Sequence, residues 1–181
     1  MNWIKKNWSN ILFVVLIALL VIPQTSTPIK AFVSGLFAFS PSVQDVEDRE
    51  VLQSYDWQLA DMNGTQVDLS TFRGKKVLVN FWATWCPPCI AEMPSMQALY
   101  DDYSDKVVFL FVTNDDKATV EKFITKHGYT LPIYHEMSPA PAELQSSALP
   151  TTYLINEKGE ILIDKTGAAD WNSEQVRSLL E

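Results

Sequence analysis

Both cysteines of this 181-residue chain lie in one short motif, Trp85-Cys86-Pro87-Pro88-Cys89. An apolar, strand-like run over residues 76–82 precedes the motif, and a helical stretch over residues 90–103 follows it. The cysteines therefore lie at a strand-to-helix turn, where the free N–H groups and partial positive charge of a helix N-terminus stabilise a thiolate. Since the thiolate is the attacking species in disulfide exchange, this placement indicates a redox pair that closes and opens a small disulfide.

Two other uses of the cysteine pair compete with a redox role. A zinc site needs two further ligands, but the sequence has no third cysteine, and His127 and His135 are not spaced as a metal-binding pair. A structural disulfide that closes so short a loop constrains the unfolded chain very little. We therefore interpret Cys86, at the N-cap, as the exposed attacking sulfur and Cys89 as the resolving sulfur, and we expect no metal or cofactor.

Around this motif the chain alternates strands with helices, which predicts an α/β fold. The predicted elements are a hairpin around Asn63-Gly64, strands at 77–82 and 106–112, a helix at 117–127, a short strand at 131–134, a short helix at 139–145, a hairpin around Lys158-Gly159, and a terminal helix that Asn172 or Ser173 caps. The order is therefore β-hairpin, β, α, β, α, β, α, β, β, α.

The run Val77-Leu78-Val79-Asn80-Phe81-Trp82-Ala83-Thr84-Trp85-Cys86-Pro87-Pro88-Cys89 resembles the thioredoxin superfamily. It is most similar to the membrane-anchored, TlpA-like thiol–disulfide oxidoreductases, which include the cytochrome c maturation reductases. The likeness extends over about residues 55–180. It implies a thioredoxin fold, in which helices flank a central mixed sheet, with an N-terminal hairpin and a central insertion.

The resemblance also assigns residues to a substrate-binding surface. Leu149-Pro150, with Thr151 after it, resembles the cis-proline segment of the family, which implies that the Leu149 backbone pairs with a substrate strand. Trp85, Pro87 and Pro88 would border the same bound partner. An ordinary proline at the start of a strand is the alternative interpretation of Pro150.

Two polar residues near the cysteines differ in what the resemblance implies. Asn80 stands where thioredoxin itself has a buried aspartate, and an amide cannot titrate. Glu92, three residues beyond Cys89, matches a glutamate of the TlpA-like branch and would modulate the acidity of the cysteines or accept a proton. The alternative is that Glu92 is a solvated side chain on an exposed helix face.

The amino-terminal forty residues differ in composition from the rest of the chain. Lys5 and Lys6 precede an apolar core at 11–22, within an uncharged stretch from 7 to 29 that is long enough to span a bilayer. Because a cleavage site is hard to find, we expect an uncleaved anchor at 1–30, a juxtamembrane linker at 31–50 and a thioredoxin-like domain at 51–181. The apolar patch at 31–39 could lie at the membrane interface, pack on the domain or belong to a processed leader.

These features together predict a single-pass membrane protein whose catalytic domain lies outside the cytoplasm, in the periplasm. The net charge of −8 argues against a nucleic-acid partner. The leading hypothesis is a thiol–disulfide oxidoreductase that reduces protein disulfides, with apocytochrome c as a target by family likeness and a membrane protein as electron donor. A thiol oxidant that installs disulfides, and a tethered binding or chaperone module without turnover, remain alternatives.

Overall fold

The computed structural model describes residues 7, 8, 10–13, 17 and 23–181. Its helices are α1 (Pro23–Leu36), α2 (Pro87–Tyr103), α3 (Lys117–His127) and α4 (Glu174–Leu180). Its strands are β1 (Gln58–Asp61), β2 (Gln66–Asp68), β3 (Lys76–Phe81), β4 (Val107–Val112), β5 (Ile133–Glu136), β6 (Thr151–Ile155) and β7 (Ile161–Thr166). Short 3₁₀ turns lie at Val46–Asp48, Leu69–Phe72 and Ala142–Leu144.

The seven strands form one mixed sheet in the order β2-β1-β5-β4-β3-β6-β7. Strand β3 lies between β4, which runs parallel to it, and β6, which runs antiparallel. The last residue of β3, Phe81, pairs with Val112 at the end of β4 and with Thr151 at the start of β6. The turn after β3, the loop after β4 and the segment before β6 therefore meet at one edge of the sheet.

Apolar side chains pack on both faces of the sheet. Helices α2, α3 and α4 cover one face, where Met93, Trp171 and Val176 belong to a single buried cluster. The segment before β1 and the 3₁₀ turns Leu69–Phe72 and Ala142–Leu144 pack on the other face, where Trp57 and Leu144 are fully buried. Strand β3 contributes to both clusters, as its nearly continuous apolar sequence predicts for a central strand.

The observed order of elements matches the predicted order except at one place. The helix expected over residues 139–145 is a single 3₁₀ turn, Ala142–Leu144, whose closing bond runs from the Gln145 N–H to the Ala142 carbonyl. Pro139 and Pro141 have no N–H to donate, so little chain remains there from which an α-helix could be built.

The segment before the domain is more ordered and more closely attached than a linker. Helix α1 crosses the boundary expected at residue 30 and packs against α2, with Ala31 buried and Gly35 over Ala91. Further along, the Gln44 N–H donates to the Leu162 carbonyl, and the Glu50 carbonyl accepts from the N–H of Ile161. These bonds satisfy backbone groups of the edge strand β7, so part of the segment expected as a linker is attached to the domain.

Half of the anchor expected over residues 1–30 falls outside the described residues. Within the part of the chain that the structure describes, no helix combines the length and the apolar character needed to cross a membrane. Helix α1 is 14 residues long, and its outer face exposes Phe32 and Leu36.

Candidate redox-active site

Cys86 and Cys89 form a disulfide at the amino end of α2. Cys86 is the N-cap residue, and its Sγ accepts a hydrogen bond from the Cys89 N–H at 3.3 Å. Pro87 and Pro88 occupy the first two helical positions and have no N–H to offer. The predicted strand-turn-helix placement of the pair is confirmed, and the Cys89 amide is the amide donor found for the Cys86 sulfur within the described residues.

The two sulfurs are less accessible than the sequence suggested. Cys86 is 4% exposed and Cys89 is fully buried, because the turn that carries them packs into the same cluster as Trp82 and Ala83. The expectation that the Cys86 sulfur is exposed is therefore wrong, although Cys86 remains the more accessible of the two cysteines. Trp85 is 67% exposed beside them.

A single carboxylate, Asp115, holds the turn before the disulfide in place. One oxygen accepts from the backbone N–H and the hydroxyl of Thr84, both at 2.7 Å, and the other accepts from the Trp85 indole at 3.0 Å. His135 Nε2 lies 2.8 Å from the Asp115 carbonyl oxygen. Our sequence analysis did not identify Asp115, although its position just after β4 indicates this edge, since adjacent parallel strands end side by side.

Glu92 lies inside the protein, one turn beyond Cys89, with 1% of its surface exposed. Oε2 accepts from the Trp171 indole at 3.0 Å and from the Ala169 N–H at 3.4 Å, while Oε1 accepts from the Asn80 amide at 2.8 Å. Burial raises the pKa of Glu92 to about 7, against the opposing effect of these three donors and of the Lys165 charge. The interpretation of Glu92 as a solvated surface residue is wrong.

Asn80 links Glu92 to the neighbouring strand. Its Nδ2 group donates to Glu92 and also to Thr152 Oγ1 at 2.7 Å, so the network joins α2, β3 and β6. Its Oδ1 atom has no hydrogen-bond partner among the described residues. Sequence analysis identified Asn80 and Glu92 but missed Thr152 and Trp171, because both are brought in from more than seventy residues away.

The Leu149–Pro150 peptide bond is cis, as the family likeness implied. The carbonyl of Pro150 accepts from the Gly167 N–H at 2.9 Å, which joins this segment to the loop after β7. Leu149 is 37% exposed and lines a cleft of about 330 Å³ together with Ala83 and Trp85. The structure therefore brings the predicted cis-proline segment and Trp85 to one surface.

A second cleft of about 400 Å³ extends this surface toward the 3₁₀ turn Ala142–Leu144. The two clefts share Phe81, Asn114, Glu136 and Leu149. Burial raises the pKa of the Glu136 carboxyl. Pro87 and Pro88 lie half-buried in the first turn of α2 and do not line either cleft.

This arrangement provides the parts that disulfide exchange requires. It holds a disulfide-bonded cysteine pair at a helix N-terminus, with an open groove beside the disulfide. It also holds a buried carboxyl group whose pKa allows it to take or give a proton near neutral pH. In the described part of the chain, no cluster of three or more His, Cys, Asp or Glu side chains is placed to hold a metal ion.

Comparison with known proteins gives consistent results. The AhpC/TSA family matches residues 52–163. The thioredoxin-like protein YneN of Bacillus subtilis is 38% identical over 124 residues, which cover 66% of this chain and 73% of YneN. The thiol-disulfide oxidoreductase ResA of Halalkalibacterium halodurans is 37% identical over 118 residues, which cover 64% of this chain and 67% of ResA.

Solved structures agree with these sequence relatives. The crystal structure of StoA from Bacillus subtilis matches with a TM-score of 0.53 and 32% identity, and covers 68% of this chain and 95% of StoA. A thioredoxin-family thiol:disulfide interchange protein from Chlorobium tepidum matches with a TM-score of 0.58, and covers 74% of this chain and 98% of that protein. At 20% identity, the second match shows the fold alone.

Proposed function

Because this chain belongs to the AhpC/TSA family and is a thiol–disulfide oxidoreductase of the ResA/StoA type, we propose that it is a membrane-tethered reductant of protein disulfides outside the cytoplasm. The observation that supports the disulfide-exchange chemistry in this proposal is the position of Glu92. Its carboxyl group lies buried one turn beyond Cys89 and has a pKa of about 7, so it can exchange a proton with the resolving cysteine near neutral pH.

The first chemical step uses Cys86. In the reduced protein its thiolate, at the N-terminus of α2, attacks one sulfur of a substrate disulfide. A bond forms between Cys86 Sγ and that sulfur, the substrate disulfide breaks, and the other substrate sulfur leaves with the electron pair. The groove beside Trp85 and Leu149 would hold the substrate strand, since both side chains line the same cleft.

The second step uses Cys89 and Glu92. The carboxylate takes the proton from the Cys89 thiol, and the resulting thiolate attacks Cys86 Sγ. The Cys86–Cys89 disulfide closes, the second substrate sulfur leaves as a thiolate, and Glu92 holds the proton that this thiolate or water later receives. The two substrate sulfurs gain two electrons, which the cysteine pair loses.

The proposed location rests on the amino-terminal sequence. Lys5 and Lys6 before the uncharged stretch at 7–29 favour a cytoplasmic amino end, a single membrane span and a catalytic domain on the far side. Apocytochrome c is the proposed substrate class by family likeness, and a membrane protein would supply the electrons.

A trapping experiment tests the proposed roles of the two cysteines. We expect the Cys89→Ala variant, in membranes, to form a stable mixed disulfide with a peptide that carries an oxidised Cys-x-x-Cys pair, because the resolving sulfur is missing. The Cys86→Ser variant should trap nothing and should lose turnover of insulin disulfides. Non-reducing gels show the adduct, and the double variant is the matched control.

Two outcomes contradict the proposal. Trapping by Cys86→Ser but not by Cys89→Ala means that the roles of the two cysteines are reversed. A wild-type protein that binds the peptide but never turns over insulin is a binding module rather than an enzyme.

A further inference from the structure

The loop between β7 and α4 connects several parts of the candidate site. At its start, the Gly167 N–H donates to the Pro150 carbonyl of the cis-proline segment. The Ala169 N–H donates to Glu92 Oε2 at 3.4 Å, and the Asp170 N–H donates to the Phe39 carbonyl at 3.0 Å. The loop therefore contacts the cis-proline segment, the buried carboxyl group of Glu92 and the segment after α1.

Trp171 makes the closest contact between this loop and α2. Its indole N–H donates to Glu92 Oε2 at 3.0 Å, and its side chain is fully buried. Its backbone N–H donates to Ser95 Oγ at 3.2 Å, while the Ser95 hydroxyl donates to the Glu92 carbonyl at 2.8 Å. Trp171 is thus attached to the helix at two points and directs its N–H group at a single oxygen of Glu92.

We propose that Trp171 is a positioning residue for disulfide exchange, which fixes the Glu92 carboxyl group and sets its affinity for the Cys89 proton. The inference rests on the proposed function, since it assigns Glu92 the role of proton acceptor. A donor to the carboxylate favours the ionised form, so the indole offsets part of the effect of burial. Without it, a smaller fraction of Glu92 would be ionised at neutral pH, and Glu92 would accept the proton of Cys89 less readily.

The contribution of Trp171 to the ionisation of Glu92 can be measured separately from the contributions of the other groups around Glu92. Lys165 on β7 is the charged residue that favours the ionised form of Glu92, while Asn80 on β3 and Thr152 on β6 are neutral at all relevant pH values. On α2 itself the titratable neighbours are the two cysteines, which form a disulfide in the oxidised protein and then do not titrate. In that state the ionisation of Glu92 can be followed without interference from the thiols.

The first test is a ¹³C-NMR titration of glutamate carboxyl groups in the oxidised full-length chain in detergent. The Glu92 signal is the one that Glu92→Gln removes. We expect Trp171→Phe, which keeps the ring but removes the N–H, to raise the midpoint of Glu92 by about one pH unit. The matched control is Trp57→Phe, which makes the same change in a fully buried tryptophan on the opposite face of the sheet and should not move the midpoint.

The second test measures exchange. In the reduced protein, the pH dependence of the reduction of glutathione disulfide should shift in Trp171→Phe in the same direction as the Glu92 midpoint. An unchanged Glu92 midpoint, or an equal shift in Trp57→Phe, overturns the positioning role. A shifted midpoint with a wild-type rate profile overturns the link to catalysis. Absence of any exchange in wild type contradicts the proposed function instead, and the titration still tests the contact.

A measurement on unmodified tryptophan covers the case in which Trp171→Phe does not fold. In the wild-type protein, the indole N–H resonance of Trp171 should shift with pH at the midpoint of Glu92, and Glu92→Gln should abolish that shift. An indole resonance that is insensitive to the ionisation of Glu92 overturns the proposal.

Discussion

Glu92 is a carboxyl group that folding places in an apolar interior among hydrogen-bond donors. Its pKa rises from 4.5 to about 7 because burial outweighs the donors. Between these values the folded chain holds a proton that the unfolded chain has released, so the free energy of unfolding falls as the pH rises. Above about pH 7 this fall in the free energy of unfolding is complete and amounts to about 3 kcal/mol.

Replacing Glu92 by glutamine should remove this pH dependence of stability. The amide is neutral throughout, so between about pH 4.5 and 7.5 the free energy of unfolding of the oxidised variant should decline by about 3 kcal/mol less than that of wild type. Urea unfolding at a series of pH values measures the effect. Glu121→Gln, at an exposed position on α3, is the control and should follow wild type. A Glu92→Gln curve that declines in parallel with wild type would falsify the assigned pKa.

The same substitution tests the role of Glu92 in catalysis. We expect Glu92→Gln to slow disulfide exchange by about 10²-fold near neutral pH, the lower range for a lost general base, because the buried carboxylate one turn beyond Cys89 is then missing. The difference from wild type should shrink at high pH, where Cys89 ionises unaided. Stopped-flow reduction of glutathione disulfide gives the profile, and a wild-type pH profile would leave Glu92 with a structural role alone.

At this scale the sequence identified the reactive residues but not their surroundings. Cys86 and Cys89 form a motif that is readable within a few residues, and the family resemblance pointed to Glu92 and Pro150. The burial of Glu92 depends on Trp171, which lies 79 residues further along the chain. Contacts over such distances arise from tertiary packing, and no local pattern encodes them.

The amino-terminal turn of α2 controls the chemistry of Cys86 through its hydrogen-bond donors. An N-cap acceptor normally receives the N–H of the second or third helical position. Pro88 occupies the second position, so the amide of Cys89 at the third is the remaining donor, at 3.3 Å. The Cys86 thiolate therefore accepts fewer backbone hydrogen bonds than an N-cap acceptor normally can. We expect a reduction potential below about −200 mV, nearer the thioredoxin value of about −270 mV than the value of about −120 mV of a strong oxidant.

Restoring the missing donor should make the protein more oxidising. Pro88→Ala supplies an N–H at the second position, which should lower the pKa of Cys86 by about one unit and raise the potential by about 30 mV. Pro87→Ala is the matched control, because an N–H at the first position is not directed at an N-cap acceptor. Titration against glutathione gives the potentials. Equal shifts in both variants would contradict the donor argument, and a wild-type potential above about −150 mV would favour the oxidant alternative.

The regular elements could be predicted because they follow local rules, whereas two features could not. Alternation and apolar runs located the strands, and Gly128 ended α3 as predicted. The place of β5 between β1 and β4 depends on pairing across the sheet, which a single chain pattern does not reveal. The 3₁₀ turn at Ala142–Leu144 replaced a predicted helix because the prolines around it leave too few backbone donors.

Across the whole molecule, the folded unit begins earlier than its first regular strand. Backbone bonds from Gln44 and Glu50 satisfy β7, and Ser40 Oγ lies 2.8 Å from Ser173 Oγ at the start of α4. Helix α1 packs on α2, but among its residues whose burial is described, Ala31 alone is buried. Most of the stability of the domain should therefore be independent of α1 and should depend on the segment that follows it.

Two deletions separate these contributions. Removal of residues 1–40 should yield a soluble domain with near wild-type exchange activity, since α1 buries little apolar surface on α2. Removal of residues 1–51 should reduce the free energy of unfolding by a further 2–3 kcal/mol or so, because β7 loses the backbone bonds from Gln44 and Glu50, each contributing about 1 kcal/mol, together with the Arg49–Glu160 ion pair. Urea unfolding of the two fragments gives the difference. Equal stability of both fragments would show that residues 41–51 act only as a tether, and failure of the longer fragment to fold would show that α1 is part of the core.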